Sequence, residues 1–156
     1  MTNDGKHYLS KEKFDELEQE LHMLKTVKRK EIAEALEFAK SLGDLSENAE
    51  YQEAREAQAA TEDRIMKLEN ILKHAVIVKD QHTSIVELGS TVLIKKEGDK
   101  EAKRFSIVGS EEANVSENKI SNESPLGRAL LGKKKSEVAV VMTPKGKINY
   151  SVVEIE

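Results

Sequence analysis

Two carboxylates, Asp44 and Glu47, stand three residues apart in the stretch 43–51, which reads GDLSENAEY. Carboxylate oxygens suit hard cations such as Mg2+, and one or two of them often suffice where phosphates and water complete the shell. The same spacing fits a capping box, with Asp44 as the N-cap of a following helix and Glu47 at its third position. Two carboxylates cannot enclose a metal ion alone. The stretch therefore predicts either a helix cap or part of a site that another molecule completes.

Basic residues flank this stretch on both sides. Lys40 lies one helical turn before Asp44, and Arg55 lies in the helical pattern that follows. A second basic cluster lies further back in the first helical pattern and consists of Lys25, Lys28, Arg29 and Lys30. Charge runs of this kind usually form a solvated face, and the alternative is contact with a phosphate backbone.

Two heptad patterns position the carboxylates between them. The first starts after Ser10, a favourable N-cap, and contains Phe14, Leu17, Leu21 and Leu24 and, after a four-residue stutter, Ile32, Ala35, Ala39 and Leu42. The second contains Tyr51, Ala54, Gln58, Thr61, Ile65, Leu68, Leu72 and Ala75. Two helices joined by a short loop run antiparallel. Residues 11–75 are thus predicted to form one antiparallel hairpin with its turn at Gly43–Glu47.

After Ala75 the apolar period changes to that of β-strands. Runs rich in β-branched residues occur at 76–78, 91–94, 105–108, 138–142 and 148–155, with glycine or proline between them. A short helix is predicted after Ser124 as N-cap, with Pro125 at its first position and Gly132 after its end. The pattern predicts an α+β chain with a coiled-coil arm at 1–78 and a sheet domain at 79–156.

Composition excludes several classes of protein. Of the 156 residues, 35% are charged and only 4% are aromatic, which favours long solvated helices over one large globule. The net charge of −4 predicts no bulk attraction to nucleic acid. The absence of cysteine excludes disulfides and thiolate sites. No apolar run approaches the length of a membrane span, so a cytoplasmic protein without membrane contact is expected.

The stretch 43–58, GDLSENAEYQEAREAQ, resembles the tip signature of the bacterial Gre transcript-cleavage factors. Leu45 and the pair Glu50-Tyr51 resemble the GreA-like branch of that family. The resemblance extends to 105–109 and to 124–132, SPLGRALLG, and covers nearly the whole chain. Many relatives carry proline where Lys30 stands, so a less kinked first helix is expected here.

The resemblance implies a fold, partners and an activity. The implied fold is an antiparallel coiled coil followed by a small antiparallel-sheet domain similar to FK506-binding proteins, with a short helix. The implied partners are bacterial RNA polymerase and the nascent RNA 3′ end, in a cytoplasmic, DNA-binding transcription complex, with the factor itself a monomer. The coiled coil would enter the polymerase's secondary channel and stimulate endonucleolytic cleavage of backtracked RNA. The chain would then be an accessory of the polymerase and not itself an enzyme.

The resemblance also assigns roles to residues. Asp44 and Glu47 would act as the tip acids in the polymerase site and would bind a Mg2+ ion shared with the polymerase, with no cofactor of the chain's own. Lys40 and Arg55 would contact RNA. The segment with Ser124, Pro125 and Arg128 would dock on the polymerase.

Two other functions stay open from the sequence. A channel-plugging inhibitor of the same architecture would support no cleavage, and such relatives tend to alter the tip acids, whereas Asp44 and Glu47 are intact. A prolyl isomerase or chaperone would need an aromatic-lined pocket, and after residue 80 the only aromatic residues are Phe105 and Tyr150. Fold alone does not decide between these functions.

Overall fold

A computed structural model of the chain describes residues 5–44, 46–79 and 84–156. The chain divides into two compact units, one of residues 14–74 and the other of residues 1–13 together with 75–156. We call them the hairpin unit and the sheet unit. Leu45, which contributed to the sequence resemblance, lies outside the described residues.

The hairpin unit is built from three α-helices. They are α1 (Lys11–Met23), α2 (Arg29–Ser41) and α3 (Ala49–Lys73). Helix α3 has 25 residues, which at a rise of 1.5 Å per residue corresponds to a length of about 37 Å. Helix α2 packs alongside α3, as the paired heptads predict. The buried side chains of this unit are small or aliphatic and comprise Leu17, Ile32, Ala39, Ala54, Thr61, Ile65, Leu68 and Ile71.

A π-helical turn, Leu24–Lys28, separates α1 from α2. The backbone N–H of Arg29 donates to the Leu24 carbonyl, the five-residue bond that defines a π-helix. This turn lies where the heptads predict a stutter, and it changes the phase of the apolar stripe after it. The stripe resumes through Ile32, Leu36 and Ala39, whereas the predicted Ala35 is exposed. That detail of the sequence prediction is wrong, because heptad counting assumes a continuous α-helical repeat.

Ion pairs join the two sides of the hairpin. The Arg29 guanidinium donates to both carboxylate oxygens of Glu62 at 2.8 Å, and this bond lowers the pKa of the Glu62 carboxyl. Arg64 binds Glu20 in the same bidentate manner, at 2.6 and 2.8 Å. Lys25 pairs with Glu69. Two of the four members of the mid-hairpin basic cluster, Lys25 and Arg29, therefore bind the opposing helix, whereas Lys28 pairs with Glu31 three residues on.

The sheet unit contains two sheets. The smaller has two parallel strands, β1 (His7–Leu9) and β2 (Ala75–Ile77). The larger has the strand order β5-β4-β3-β7-β6. Its strands are β3 (Thr91–Lys96), β4 (Lys103–Val108), β5 (Lys119–Ser121), β6 (Val138–Thr143) and β7 (Gly146–Ile155).

Side chains from β3, β4, β6 and β7 form the core of this unit together with the short helix α4 (Pro125–Leu130). The fully buried members are Val86, Val92, Ile94, Ile107, Leu130, Ala139 and Val152. The strands alternate buried and exposed residues, as expected of a sheet with one solvated face. The predicted N-cap of α4 is confirmed, because the Ser124 hydroxyl accepts from the Gly127 N–H at 3.0 Å.

The first strand is fixed to the sheet unit by contacts that are distant in sequence. The Ser10 N–H and hydroxyl donate to the Glu112 carboxylate at 3.0 and 2.6 Å. The Ser10 hydroxyl also accepts from the Lys13 N–H at 3.1 Å, so Ser10 caps α1 as predicted. At Gly109 a Cβ atom would lie 1.8 Å from the Tyr8 carbonyl oxygen, a separation that no side chain permits. Glycine is thus required there for a close backbone approach.

The α+β class and the helical hairpin are confirmed, with one difference in the sheet. Strand β5 pairs with β4 in parallel, so the sheet is mixed and not wholly antiparallel. Two 3-10 turns at 110–112 and 115–117 return the chain between these strands. The domains 1–78 and 79–156 stay a prediction, since contacts do not test which part folds alone. No described helix is long and apolar enough to cross a membrane.

Candidate functional site: the turn of the hairpin

The turn between α2 and α3 begins with a glycine that ends α2. The N–H groups of Leu42 and Gly43 donate to the carbonyls of Ala39 at 3.2 Å and Lys40 at 3.5 Å. Gly43 has a φ of 118°, a conformation that L side chains rarely adopt. This explains why a glycine follows the last turn of α2.

Helix α3 is capped by Asn48 and not by Asp44. The Asn48 side-chain oxygen accepts from the Tyr51 N–H at 3.1 Å, the bond that an N-cap residue makes to its third helical position. The Asn48 amide group also donates to the Ala39 carbonyl at 2.6 Å and thereby joins the start of α3 to the end of α2. The capping-box interpretation of Asp44 and Glu47 is therefore wrong, because α3 begins only at Ala49.

Replacing Asn48 by alanine is expected to destabilise the hairpin by about 0.5–2 kcal/mol, the usual cost of losing an N-cap. Asp44→Ala, which removes no cap, is expected to change the free energy of unfolding much less. Urea denaturation of the two variants followed by circular dichroism measures this difference. An equal or larger loss with Asp44→Ala would contradict the capping assignment.

Asp44 is instead held by Ser46 in a local turn. One Asp44 carboxylate oxygen accepts from the Ser46 N–H at 3.0 Å and from the Ser46 hydroxyl at 2.9 Å. These two bonds, the backbone one first, lower the pKa of the Asp44 carboxyl. The group is exposed to solvent and keeps its negative charge at neutral pH. Its other oxygen is free to bind a ligand.

Three carboxylates border one shallow depression at the turn. Asp44 and Glu47, the predicted site residues, lie there together with Glu50. Glu50 is in the first turn of α3. Sequence reasoning assigned no role to Glu50 and missed Ser46. An Asp-x-Ser turn signal was available for Ser46, because aspartate commonly accepts from the backbone two residues on.

The turn does not form a complete metal site. No group of three or more His, Asp or Glu residues with metal-binding geometry exists in the described part of the chain. The donors at the turn are carboxylate oxygens, the ligand type that Mg2+ prefers. One of the carboxylates, that of Asp44, is held ionised by its bonds from Ser46. They fit part of a coordination shell that a second molecule must complete.

Lys40 and Arg55 are exposed and lie outside the residues that line the depression. Neither side chain makes a hydrogen bond or an ion pair within residues 5–44, 46–79 and 84–156. They differ in this from Arg29 and Arg64, whose guanidinium groups bind carboxylates across the hairpin. Lys40 and Arg55 are thus the basic residues of the hairpin that remain available to an anionic partner near the turn.

The predicted docking segment divides into structural and exposed residues. The Ser124 hydroxyl donates to the Ser121 carbonyl at 2.6 Å and caps α4. A Cβ atom at Gly127 would lie 2.0 Å from the Ser121 carbonyl oxygen, so this glycine is required for packing. Pro125 and Arg128 are exposed. Of the predicted docking residues, these two are exposed to solvent, whereas Ser124 is half-buried.

The residues that a prolyl isomerase would need are used elsewhere. Phe105 and Tyr150 both pack against the hydrophobic core of the sheet unit. They are therefore not arranged as the walls of an open aromatic pocket.

Comparisons with known proteins agree along the whole chain. A family model described as transcription elongation factor, N-terminal, matches residues 7–77. A second, described as transcription elongation factor, GreA/GreB, C-term, matches residues 81–156. Transcription elongation factor GreA of Clostridioides difficile is 46% identical over 157 residues, which cover 99% of each protein. That of Bacillus velezensis is 47% identical over 156 residues, covering 99% of this chain and 94% of the relative. Among solved structures, the GreA factor homolog 1 (Gfh1) protein of Thermus thermophilus matches with 33% sequence identity and a TM-score of 0.42, covering 97% of this chain and 99% of that one.

Proposed function

This chain belongs to the GreA/GreB family of transcription elongation factors, and on that premise we propose that it binds bacterial RNA polymerase and stimulates cleavage of backtracked nascent RNA. The hairpin unit would enter the secondary channel of the polymerase. Cleavage would create a new RNA 3′ end in the polymerase active site, so that stalled elongation resumes. The chain would act as a monomer in the cytoplasm and would complete the active site of another enzyme.

The observation that carries this proposal is the state of Asp44. Its carboxylate is exposed at the turn, is held ionised by Ser46 and caps no helix. Glu47 borders the same depression. Asp44 and Glu47 are thus two carboxylates that cap no helix and lie in the turn between α2 and α3. Such carboxylates have little effect in bulk water and a far larger one in a confined site of lower dielectric.

Asp44 and Glu47 would supply oxygen ligands to a Mg2+ ion shared with the polymerase. In phosphodiester hydrolysis by two metal ions, one ion activates water and the other stabilises the leaving oxygen. The tip residues would supply negative charge at a fixed position and would orient a water molecule. Ser46 would keep the Asp44 carboxylate ionised and fix the direction of its free oxygen.

Lys40 and Arg55 would contact the phosphates of the extruded RNA. Both are exposed and have no carboxylate partner within the described residues. Each contact to a phosphate releases condensed counterions, so its contribution depends on the salt concentration.

Replacement of Lys40 or Arg55 by alanine is expected to weaken cleavage most on complexes with long extruded RNA, and less at high salt. Each lost phosphate contact should reduce the slope of log affinity against log salt by about 1. Lys30→Ala is a matched control, because Lys30 is also an exposed lysine of α2. The measurement is the rate of RNA shortening at several salt concentrations. Unchanged rates for both tip variants on every complex would contradict the assigned contacts.

The sheet unit would dock on the polymerase through Pro125 and Arg128. Both residues are exposed on α4, whereas Ser124 and Gly127 shape the helix from within. In this assignment Ser124 acts as a positioning residue. The hairpin carries a net negative charge. By itself it is therefore poorly suited to bind the polymerase active site, which is rich in carboxylates.

The proposal is tested with bacterial polymerase complexes stalled in a backtracked state and carrying end-labelled RNA. Addition of the full chain is expected to cause shortening of the RNA. The polymerase should then extend the new 3′ end when nucleotides are added. Binding of the protein without any shortening would instead identify a channel-plugging inhibitor. Absence of both binding and cleavage would contradict the proposed function altogether.

A further inference from the structure

Strand β6 lies at the edge of the five-stranded sheet, and no described strand pairs with its other side. Among the described strands it pairs with β7, from Val138 opposite Ser151 to Thr143 opposite Gly146. In an antiparallel pair, hydrogen-bonded residues alternate with residues whose N–H and C=O groups point the other way. The bond from the Val152 N–H to the Glu137 carbonyl fixes this alternation.

The alternation assigns residues 139, 141 and 143 to the ladder with β7. The outward-facing backbone groups therefore belong to Val138, Val140 and Met142. Within the described residues, no backbone hydrogen bond from another segment reaches these three.

The same three residues carry exposed apolar side chains. Val138, Val140 and Met142 are 46%, 48% and 66% exposed, whereas Ala139 and Val141 are buried. Edge strands of this kind are templates for pairing with another chain, and proteins normally protect them with lysine or proline within the strand. Strand β6 has neither residue type between Val138 and Thr143. The combination of apolar side chains and free backbone groups on one edge indicates a surface that binds an extended strand.

Positive charge surrounds both ends of this edge. Lys133, Lys134 and Lys135 precede β6, Lys145 lies in the turn that follows it, and Lys147 lies on β7 opposite Met142. None of the five makes an ion pair in the part of the chain that the structure describes. The nearby Glu137 carboxylate accepts from the backbone N–H of Lys134 at 2.6 Å.

The charge pattern disfavours a second copy of this chain as the occupant. Antiparallel pairing of β6 with itself would bring lysines 133–135 of one copy towards Lys145 in the turn after β6 of the other. Like charges placed directly opposite each other destabilise a strand pair. A strand with carboxylates at both ends would instead meet opposite charge at both ends.

We propose that the β6 edge binds an extended segment of another protein by strand addition. The segment has apolar residues at alternate positions, which pack beside Val138, Val140 and Met142, and acidic residues at both ends, which meet the lysines. Backbone hydrogen bonds provide affinity in this mode of recognition, and the alternating side chains provide selectivity. This interaction is separate from the turn of the hairpin and does not depend on RNA cleavage.

The test uses the full chain and a fluorescein-labelled peptide in which three valines alternate with threonines between two acidic pairs. Fluorescence anisotropy is expected to show saturable binding that weakens with added salt. Two control peptides are compared with it. One carries lysine pairs in place of the acidic pairs, and the other is acidic but has an N-methylated backbone on its pairing edge. Each should bind at least about tenfold more weakly, a difference of about 1.4 kcal/mol.

Two variants of Val140 separate the backbone from the side-chain contribution. Val140→Pro removes an outward N–H without removing a bond to β7, and proline is tolerated on edge strands in that position. Val140→Thr keeps the β-branched shape and removes an apolar contact. Both should weaken peptide binding, whereas Val115→Thr, at a valine that is 88% exposed elsewhere in the sheet unit, should not. Because Val140→Pro could disturb folding, Val140→Thr keeps the test decisive.

Three results would overturn the proposal. They are absence of saturable binding of the acidic peptide up to about 1 mM, equal binding of the lysine-flanked peptide, and a dimer in sedimentation analysis that Val140→Thr dissociates. The last result would identify a second copy as the occupant of the edge.

Discussion

Asp44→Asn and Glu47→Gln are each expected to abolish stimulated RNA cleavage while leaving polymerase binding nearly unchanged. Removing one charged group from an active site typically costs about tenfold to several hundredfold in rate. The amides keep the shape of the side chains and can still accept hydrogen bonds. An asparagine at position 44 can therefore keep the turn with Ser46, and what is lost is the negative charge.

The measurement is the rate of RNA shortening in backtracked complexes at low and raised Mg2+, together with polymerase affinity and the thermal unfolding midpoint. Raised Mg2+ should partly restore cleavage by each variant if ion affinity is what the charge provides. Glu56→Gln is a matched control, because it removes an exposed carboxylate of α3 away from the turn. Full cleavage by both tip variants at low Mg2+ would contradict the proposed role of the turn.

Gly109→Ala is expected to be the most destabilising of the substitutions considered, at about 3 kcal/mol or more. Its Cβ would lie 1.8 Å from the carbonyl oxygen of Tyr8, so β1 must move or detach from the sheet unit. The φ of Gly109 is −66°, a value that any residue adopts, so the cost comes from the close approach and not from the backbone conformation.

Gly98→Ala provides the comparison for this prediction. Gly98 has a φ of 93° and open space around its Cα, so alanine there costs only backbone strain, about 1–2 kcal/mol. Urea unfolding monitored by circular dichroism ranks the two variants. A Gly109→Ala protein as stable as the Gly98→Ala protein would show that β1 is not packed against Gly109.

Much of this architecture was predictable because its signals are local. Heptads, Gly43 and the cap Ser10 predict the hairpin, and β-branched runs predict the short strand β2 and the four longest strands, β3, β4, β6 and β7. The family resemblance of residues 43–58 is confirmed by matches along the whole chain. Strand β1 was missed because its three residues form a strand only by pairing with β2, which lies beyond the hairpin.

The cap of α3 shows where local signals fail. Asp44 with Glu47 fits a capping box, and Asn48 before Ala49 fits an N-cap equally well. A contact outside the helix favours Asn48, since its amide reaches the Ala39 carbonyl on the preceding helix. The roles of Asp44, Glu47, Lys40, Arg55, Ser124, Pro125 and Arg128 in a polymerase complex stay predictions, because they depend on a partner.

The contacts of the first strand have a consequence for the order in which the chain folds. Strand β1 and Ser10 leave the ribosome before the hairpin does, yet Ser10 binds Glu112, which is synthesised 102 residues later. Contacts this distant form slowly, whereas helical hairpins rely on near neighbours in sequence and form fast. The hairpin can thus be complete while its flanking strand is still unpaired. The pairing of β1 with β2, where the chain leaves the sheet unit and returns to it, is then among the last contacts to form.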